Sequence, residues 1–229
     1  MQNFENTATQ PTPGKCKPIL FATPMIQAIL RGEKTQTRVI IKHKNPIESI
    51  RPIMRCIENE KDWDKYILTD ELGEVFLIKP KYSVGDILWV QETWHPKRHN
   101  MPTGYKYEYK ATAQEDGNPT DEPWRPAMHM PIEACRIFLK VTKIRVERLE
   151  DITKEDAIAE GIEKWQQAGY TRYKSYFKPV VGFWDTHDHP LGVHAAVASF
   201  RSLWADIHGF KSLNDNPWVF VYEFKHTDH

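Results

Sequence analysis

The sequence predicts an α+β fold: a small mixed or closed sheet with short helices on its rim. Three observations carry that prediction. Short helical segments with clear start and stop signals are interleaved with antiparallel-looking strand segments. No βα units recur at regular spacing. At 229 residues, 40% of them hydrophobic, the chain can bury one core and still carry insertions.

Residues 1–17 are polar, contain Pro11, Pro13 and Gly14, and read as a flexible leader, with order expected from Pro18. "TPMIQAILRG" reads as a helix that Thr23 can cap, with Pro24 at its first position and Gly32 as the left-handed stop. Met25, Ile26, Ile29 and Leu30 share one face and predict its docking side. "KTQTRVII" then predicts a turn into a strand. Residues 43–80 have no clean period and read as an insertion. "VGDILWVQETW" predicts a Gly-Asp turn and a strand from Ile87 to about Thr93. From Trp94 to about Pro131 the chain is proline-punctuated, a long loop region (insertion near 95–131) of the kind that more often serves function than idles.

"CRIFLKVTKIRVERL" predicts the longest strand, up to Leu149, with a bend near Thr142. "DITKEDAIAEG" predicts a second short helix, capped by Thr153 with Asp156 three residues on, and closed by Gly161. Residues 163–193 are aromatic and irregular, a further insertion. "HAAVASFRSLWADIHG" predicts a third helix with Val197, Phe200, Trp204 and Ile207 as its apolar face and Gly209 as its stop. "NPWVFVYEF" predicts a final strand, with Trp218, Phe220, Tyr222 and Phe224 alternating with Val219, Val221 and Glu223. One domain over 18–229 follows.

Charge and cysteine usage exclude several classes. The 31 basic and 31 acidic residues cancel, which argues against a polybasic nucleic-acid coat and leaves room for a local basic groove. Cys16, Cys56 and Cys135 are widely separated, so neither a disulfide framework nor a thiolate zinc site is indicated. There is no signal-peptide pattern and no membrane-spanning apolar run, so a cytoplasmic location is the default expectation. No cofactor motif is present.

The stretch "GEKTQTR" sets Lys34, Thr37 and Arg38 just past the end of the first helix. A threonine hydroxyl becomes a nucleophile when a base removes its proton, and a lysine serves as that base if burial or nearby positive charge favours its neutral form. Arg38 could supply such charge or hold an anionic oxygen. The competing reading is a solvated turn. Residues three apart face opposite sides of a regular strand, so Lys34 must sit on the turn to meet Thr37.

Glu160 falls in the last turn of the Thr153 helix, where the negative end of the dipole disfavours a carboxylate by about 0.3–1 kcal/mol and favours the protonated form a general acid needs. Otherwise it is an exposed acid on a polar face. Glu92 and Trp94 should point the same way from the "WVQETW" strand, an acid beside a stacking surface, or else an edge acid and a core tryptophan. "PWRPAMHMP" adds Trp124, Arg125 and His129 on a stiff loop, suited to holding a base or phosphate, or to packing. "DTHDHP" offers Asp185, His187, Asp188 and His189, a weak pattern that assigns no metal.

Taken together, "GEKTQTR", "GDILWVQETW", "WRPAMHMP", "VERLEDITKEDAIAEGI", "FRSLWADIHG" and "NPWVFVYEF" resemble the ASCH family, whose fold is similar to PUA RNA-binding domains. In order and wording the chain looks like the longer ASCH proteins common in phages and prophages. The resemblance runs from about Pro18 onward. It implies a β-barrel-like mixed sheet with an RNA-facing cleft, and modified nucleosides or RNA as partners.

Shorter bacterial relatives are amidohydrolases that deacetylate N4-acetylcytidine with a lysine, a threonine and a glutamate. By motif position these fall on Lys34, Thr37 and Glu160, with Glu92 the competing acid. Arg38, Glu92, Trp94, Trp124, Arg125 and His129 are the implied substrate-binding set. Arg38 follows Thr37 directly, whereas in the short enzymes the arginine stands two residues after the threonine. Attack by Thr37 and direct attack by water remain open. So do a non-catalytic RNA- or nucleotide-binding module and a phage assembly or regulatory role.

Overall fold

The structure is a computed structural model that describes residues 15–52, 65–96, 107–113, 123–167, 169–176 and 193–227. It is α+β. In chain order the elements are β1 (Cys16–Leu20), α1 (Thr23–Leu30), β2 (Gln36–Ile40), β3 (Ile47–Pro52), β4 (Tyr66–Asp70), β5 (Val75–Ile78), β6 (Ile87–Gln91), β7 (Trp94–Pro96) and β8 (Tyr107–Tyr109). They continue with β9 (Phe138–Arg148), α2 (Lys154–Ala159), β10 (Lys164–Gln167), β11 (Tyr170–Tyr173), α3 (Val193–Asn214) and β12 (Trp218–Thr227).

The main sheet has five strands in the order β1-β6-β9-β12-β2, with β1 and β6 parallel and the other neighbours antiparallel. Among the described residues it does not close into a barrel, contrary to the barrel-like expectation. Beyond β2 the chain meets α2 instead of another strand: the Thr35 N–H donates to the Ala159 carbonyl at 2.9 Å, and the Gln36 amide donates to the Asp156 carbonyl at 2.7 Å.

β12 lies between β9 and β2, and both of its faces are buried. Phe220, Tyr222 and Phe224 join Phe21, Ile26, Leu88 and Leu139 in one core. Val219 and Val221 join Leu149, Ala157, Phe200 and Trp204 in the other, beneath α2 and α3. The bend expected near Thr142 is a β-bulge: Glu223 pairs with Lys143 and Phe224 with Val141, which leaves Thr142 as the extra residue.

Several local expectations change. β1 begins at Cys16, before the expected onset of order, and pairs along its length with β6. The first helix is capped by Ala22 with no side-chain bond, and Thr23 lies inside it. Leu30 is 44% exposed while Ala28 is fully buried, because the helix docks through Ile26, Ala28 and Ile29. The β6 strand ends at Gln91, and Trp94–Pro96 then belongs to a separate two-stranded antiparallel sheet, β7–β8. Residues 47–78, which show no period in sequence, contain a three-stranded antiparallel sheet that rests on the first core through Tyr66 and Ile78. In α3 the stop at Gly209 is real as a break, with φ 83°, but helix resumes to Asn214, and Ile207 is exposed.

Candidate functional site

The turn after α1 and the end of α2 are built against each other. Gly32 takes φ 71°, and the Glu33 and Lys34 N–H groups both donate back to the Ala28 carbonyl, so Lys34 sits on the turn. At the other side Thr153 caps α2 by accepting from the Asp156 N–H at 3.1 Å, a contact of about 1 kcal/mol. The helix closes with Glu160 and then Gly161 at φ 83°. A Cβ on Gly161 would lie 2.8 Å from the Cβ atoms of both Ala28 and Lys34, so only glycine permits this approach.

Lys34 is buried, which removes the solvated-turn reading. Its Nζ donates to the Glu160 Oε2 at 2.8 Å, the Glu160 carbonyl at 2.9 Å and the Gln36 carbonyl at 2.9 Å, using all three ammonium protons. The Phe21 ring lies 5.4 Å away. The other Glu160 oxygen, Oε1, accepts from Arg38 NH1 at 2.8 Å. Glu160 is therefore a buried acceptor between two cations, where the sequence suggested an exposed acid or a proton donor.

Arg38 is also buried and fully engaged. Besides Glu160 it donates to Glu147 Oε1 from Nε at 3.0 Å, lies 3.3 Å from Asp156 Oδ2, and covers the Phe200 ring at 5.5 Å. Arg145 extends the network, reaching Glu147 at 2.9 Å, Asp156 at 2.9 Å and Glu223 at 2.6 Å, with Lys143 3.5 Å from Glu223. The cations Lys34, Arg38, Arg145 and Lys143 thus face the carboxylates of Glu160, Glu147, Asp156 and Glu223. Such balance is what permits charges to be buried at all. Burial by itself would raise the Asp156 carboxyl, but the Gln36 amide and the Arg145 and Arg38 guanidiniums outweigh it and hold it below the usual carboxylate range.

Strand geometry explains which residues meet. Gln36 and Arg38 alternate on the face of β2 that looks toward α2 and α3, while Thr37, paired with Tyr222, faces the other core. Thr37 is 8% exposed, and among the described residues its hydroxyl engages no hydrogen-bond partner. Phe21, which Lys34 approaches, belongs to the core on Thr37's side.

The other sequence candidates form a separate group. Glu92 is 1% exposed and held by Arg136 in a two-point pair at 2.8 and 2.9 Å, with the guanidinium 4.0 Å over Tyr109. Burial pushes the Tyr109 hydroxyl up to about 12. Trp94 is buried with Met130 and Ala134, one face under Arg125 at 5.3 Å and Tyr107 edge-on at 5.6 Å. Trp124 is half-buried, and Arg125 and His129 are exposed. Asp185, His187, Asp188 and His189 lie outside the described residues, among which no group of potential metal ligands clusters.

Sequence reasoning missed Gln36, Glu147, Asp156, Arg145 and Arg136. A signal existed for part of this: Lys143, Arg145 and Glu147 recur at strand period in "KIRVER", as Gln36 and Arg38 do in "QTR". Among the described residues no helix is long and apolar enough to cross a membrane. Compared with family models, with curated proteins and with solved structures, the chain matches none.

Proposed function

We propose that the protein is an ASCH-type domain of PUA-like fold that binds a modified nucleoside beside Lys34, Thr37 and Glu160 and hydrolyses its acylated exocyclic amine. The observation that carries this reading is the Lys34–Glu160 pair, a 2.8 Å contact between side chains 126 residues apart, at the two positions the motif resemblance singles out.

The pair supplies both catalysts in one step. Moving a proton from Lys34 Nζ to Glu160 Oε2 gives a neutral amine and a carboxylic acid; Arg38 occupies Oε1, which leaves Oε2 as the proton's seat. The amine then takes the Thr37 proton as its oxygen attacks the amide carbonyl, and Glu160 protonates the departing amine. That step leaves Lys34 protonated and Glu160 ionised. Water then attacks the threonyl ester, giving a proton to Glu160 as Lys34 returns one to the Thr37 oxygen, and the acyl group leaves as the free acid. A proton passing from Glu160 to Lys34 restores the pair's charges.

A second reading is favoured by the saturated Lys34 ammonium, whose three donors are already spent on acceptors. On it the cluster is structural, and the domain binds a nucleotide without turnover. Incubation with N4-acetylcytidine separates the two, with Thr37→Val alongside. Cytidine from the wild type and none from Thr37→Val at an unchanged melting temperature is the expected result. No cytidine from folded wild type overturns the amidohydrolase reading.

A further inference from the structure

We propose that β5 is a dimerisation edge, across which two copies of this chain pair antiparallel about a two-fold axis. Association at this edge is independent of the chemistry at Lys34.

β5 is an outer strand of the β3-β4-β5 sheet. Its register sets Phe76 opposite Leu68, which is fully buried, and Ile78 opposite Tyr66 at the first core, so Val75 and Leu77 face outward. They are 65% and 61% exposed. The Asp70 N–H donates to the Glu74 carbonyl at 3.1 Å, so Glu74, Phe76 and Ile78 turn their backbone groups toward β4. Alternation then aims the N–H and C=O of Val75 and Leu77 out of the sheet's edge, where among the described residues no strand receives them.

The two edges of this sheet differ. β3, on the other side, carries what discourages pairing: Pro46 before it, Glu48, Arg51 and Pro52 within it, and a register shift between Ile47 and Ser49. β5 reads "VFLI", with no charge, proline or register shift. An edge left apolar and regular, opposite one so guarded, is suited to receiving another strand.

The flanks of β5 identify that strand as a second β5. Glu71 and Glu74 precede it and Lys79 and Lys81 follow it, all four exposed. An antiparallel copy lays its basic end along the acidic end of the first, and symmetry makes the match twice. A two-fold axis normal to the sheet keeps like faces together, so residues on the same face pair. Centred on Phe76, it sets Val75 of one copy against Leu77 of the other, with their edge-facing backbone bonds exchanged. The same register carried outward sets Glu71 against Lys81. Because the guarded β3 edge ends the sheet in each copy, pairing closes at the dimer. A contact this short gives a weak, concentration-dependent association.

The test is sedimentation equilibrium of the full chain from about 1 to 500 µM, with amide hydrogen exchange at both ends of that range. Dimer should form as concentration rises. The Val75 and Leu77 amides should then gain protection, while those of Phe76 and Ile78, turned toward β4, stay constant. Leu77→Pro removes an outward amide and no bond to β4, and should weaken association by about tenfold or more. Glu71→Lys should weaken it by about threefold or more, and Glu71→Lys with Lys81→Glu should restore it. If Leu77→Pro does not fold, the charge-reversal pair decides. A monomer throughout, whatever else may be found on the edge, overturns the proposal. So does a dimer that keeps its affinity in folded Leu77→Pro, or one that the double reversal fails to recover.

Discussion

The Lys34 Nζ binds Glu160 twice, at its side-chain carboxylate and at its backbone carbonyl, so one side chain fastens both the charge and the buried C-terminus of α2. Deleting it leaves a buried carboxylate short of a partner and strands two carbonyls. Lys34→Ala should therefore cost about 3–5 kcal/mol in equilibrium denaturation. Lys34→Met combined with Glu160→Gln should recover part of that loss, because the amide oxygen still accepts from Arg38 and no unpaired charge remains. A double variant no more stable than Lys34→Ala would show that the pair's charge is not the issue.

Gly161 carries two demands that can be separated. Gly161 and Gly73 have nearly the same backbone, φ 83° and 77°, but nothing lies within 4 Å of a Cβ on Gly73. Gly73→Ala should cost only the left-handed penalty, about 1–2 kcal/mol. Gly161→Ala should cost about 1–3 kcal/mol more, from the collision with Ala28 and Lys34. Equal denaturation midpoints for the two would contradict the close approach.

Acid should loosen the network. Asp156 is held below its ordinary value of 3.8 in the folded state, so its contribution is complete above that value and is lost as pH falls through the lower, folded one. Asp86 adds in the same sense: against the upward pull of burial, Lys17 and the Ser83 and Lys15 N–H groups hold it down. The urea midpoint should stay level down to about pH 5 and then fall, and Asp156→Asn should make that fall shallower.

Glu92 and Glu160 were the two acids left open by the sequence, and their surroundings now differ. Glu92 serves Arg136, while Glu160 meets Lys34. In the N4-acetylcytidine assay Glu92→Gln should keep turnover and lose stability, and Glu160→Gln should lose turnover. The reverse pattern would move the chemistry to the β7–β8 side.

What could be read from sequence was what depends on neighbours in the chain. The Thr153 cap, the Gly32 and Gly161 stops, the bulge at Thr142 and the alternation of β12 are all decided within a few residues. Lys34's place on a turn was legible for the same reason. The pairing of Glu92 with Arg136 and of Arg38 with Glu147 was not, because nothing local marks which strand will lie alongside. The β3–β5 sheet was hidden because its outer face is itself apolar, with Val75 and Leu77 exposed, so no clean inside–outside period forms. Leu30 and Ile207 failed because a helix face is chosen by what packs on it.

The position of β12 carries a consequence for how the chain is made. β2 leaves a ribosome long before β12, yet Gln36–Ile40 find their strand partners only in Val219–Glu223. At about 5–20 residues per second that wait is on the order of 10–40 s. For much of it Arg38 and Lys34 also lack α2, the helix whose Glu160 they hold, and until β12 arrives the half-built sheet exposes an apolar edge. Chaperone protection during synthesis, and sensitivity to stalling before Trp218, should therefore be features of this protein's biogenesis.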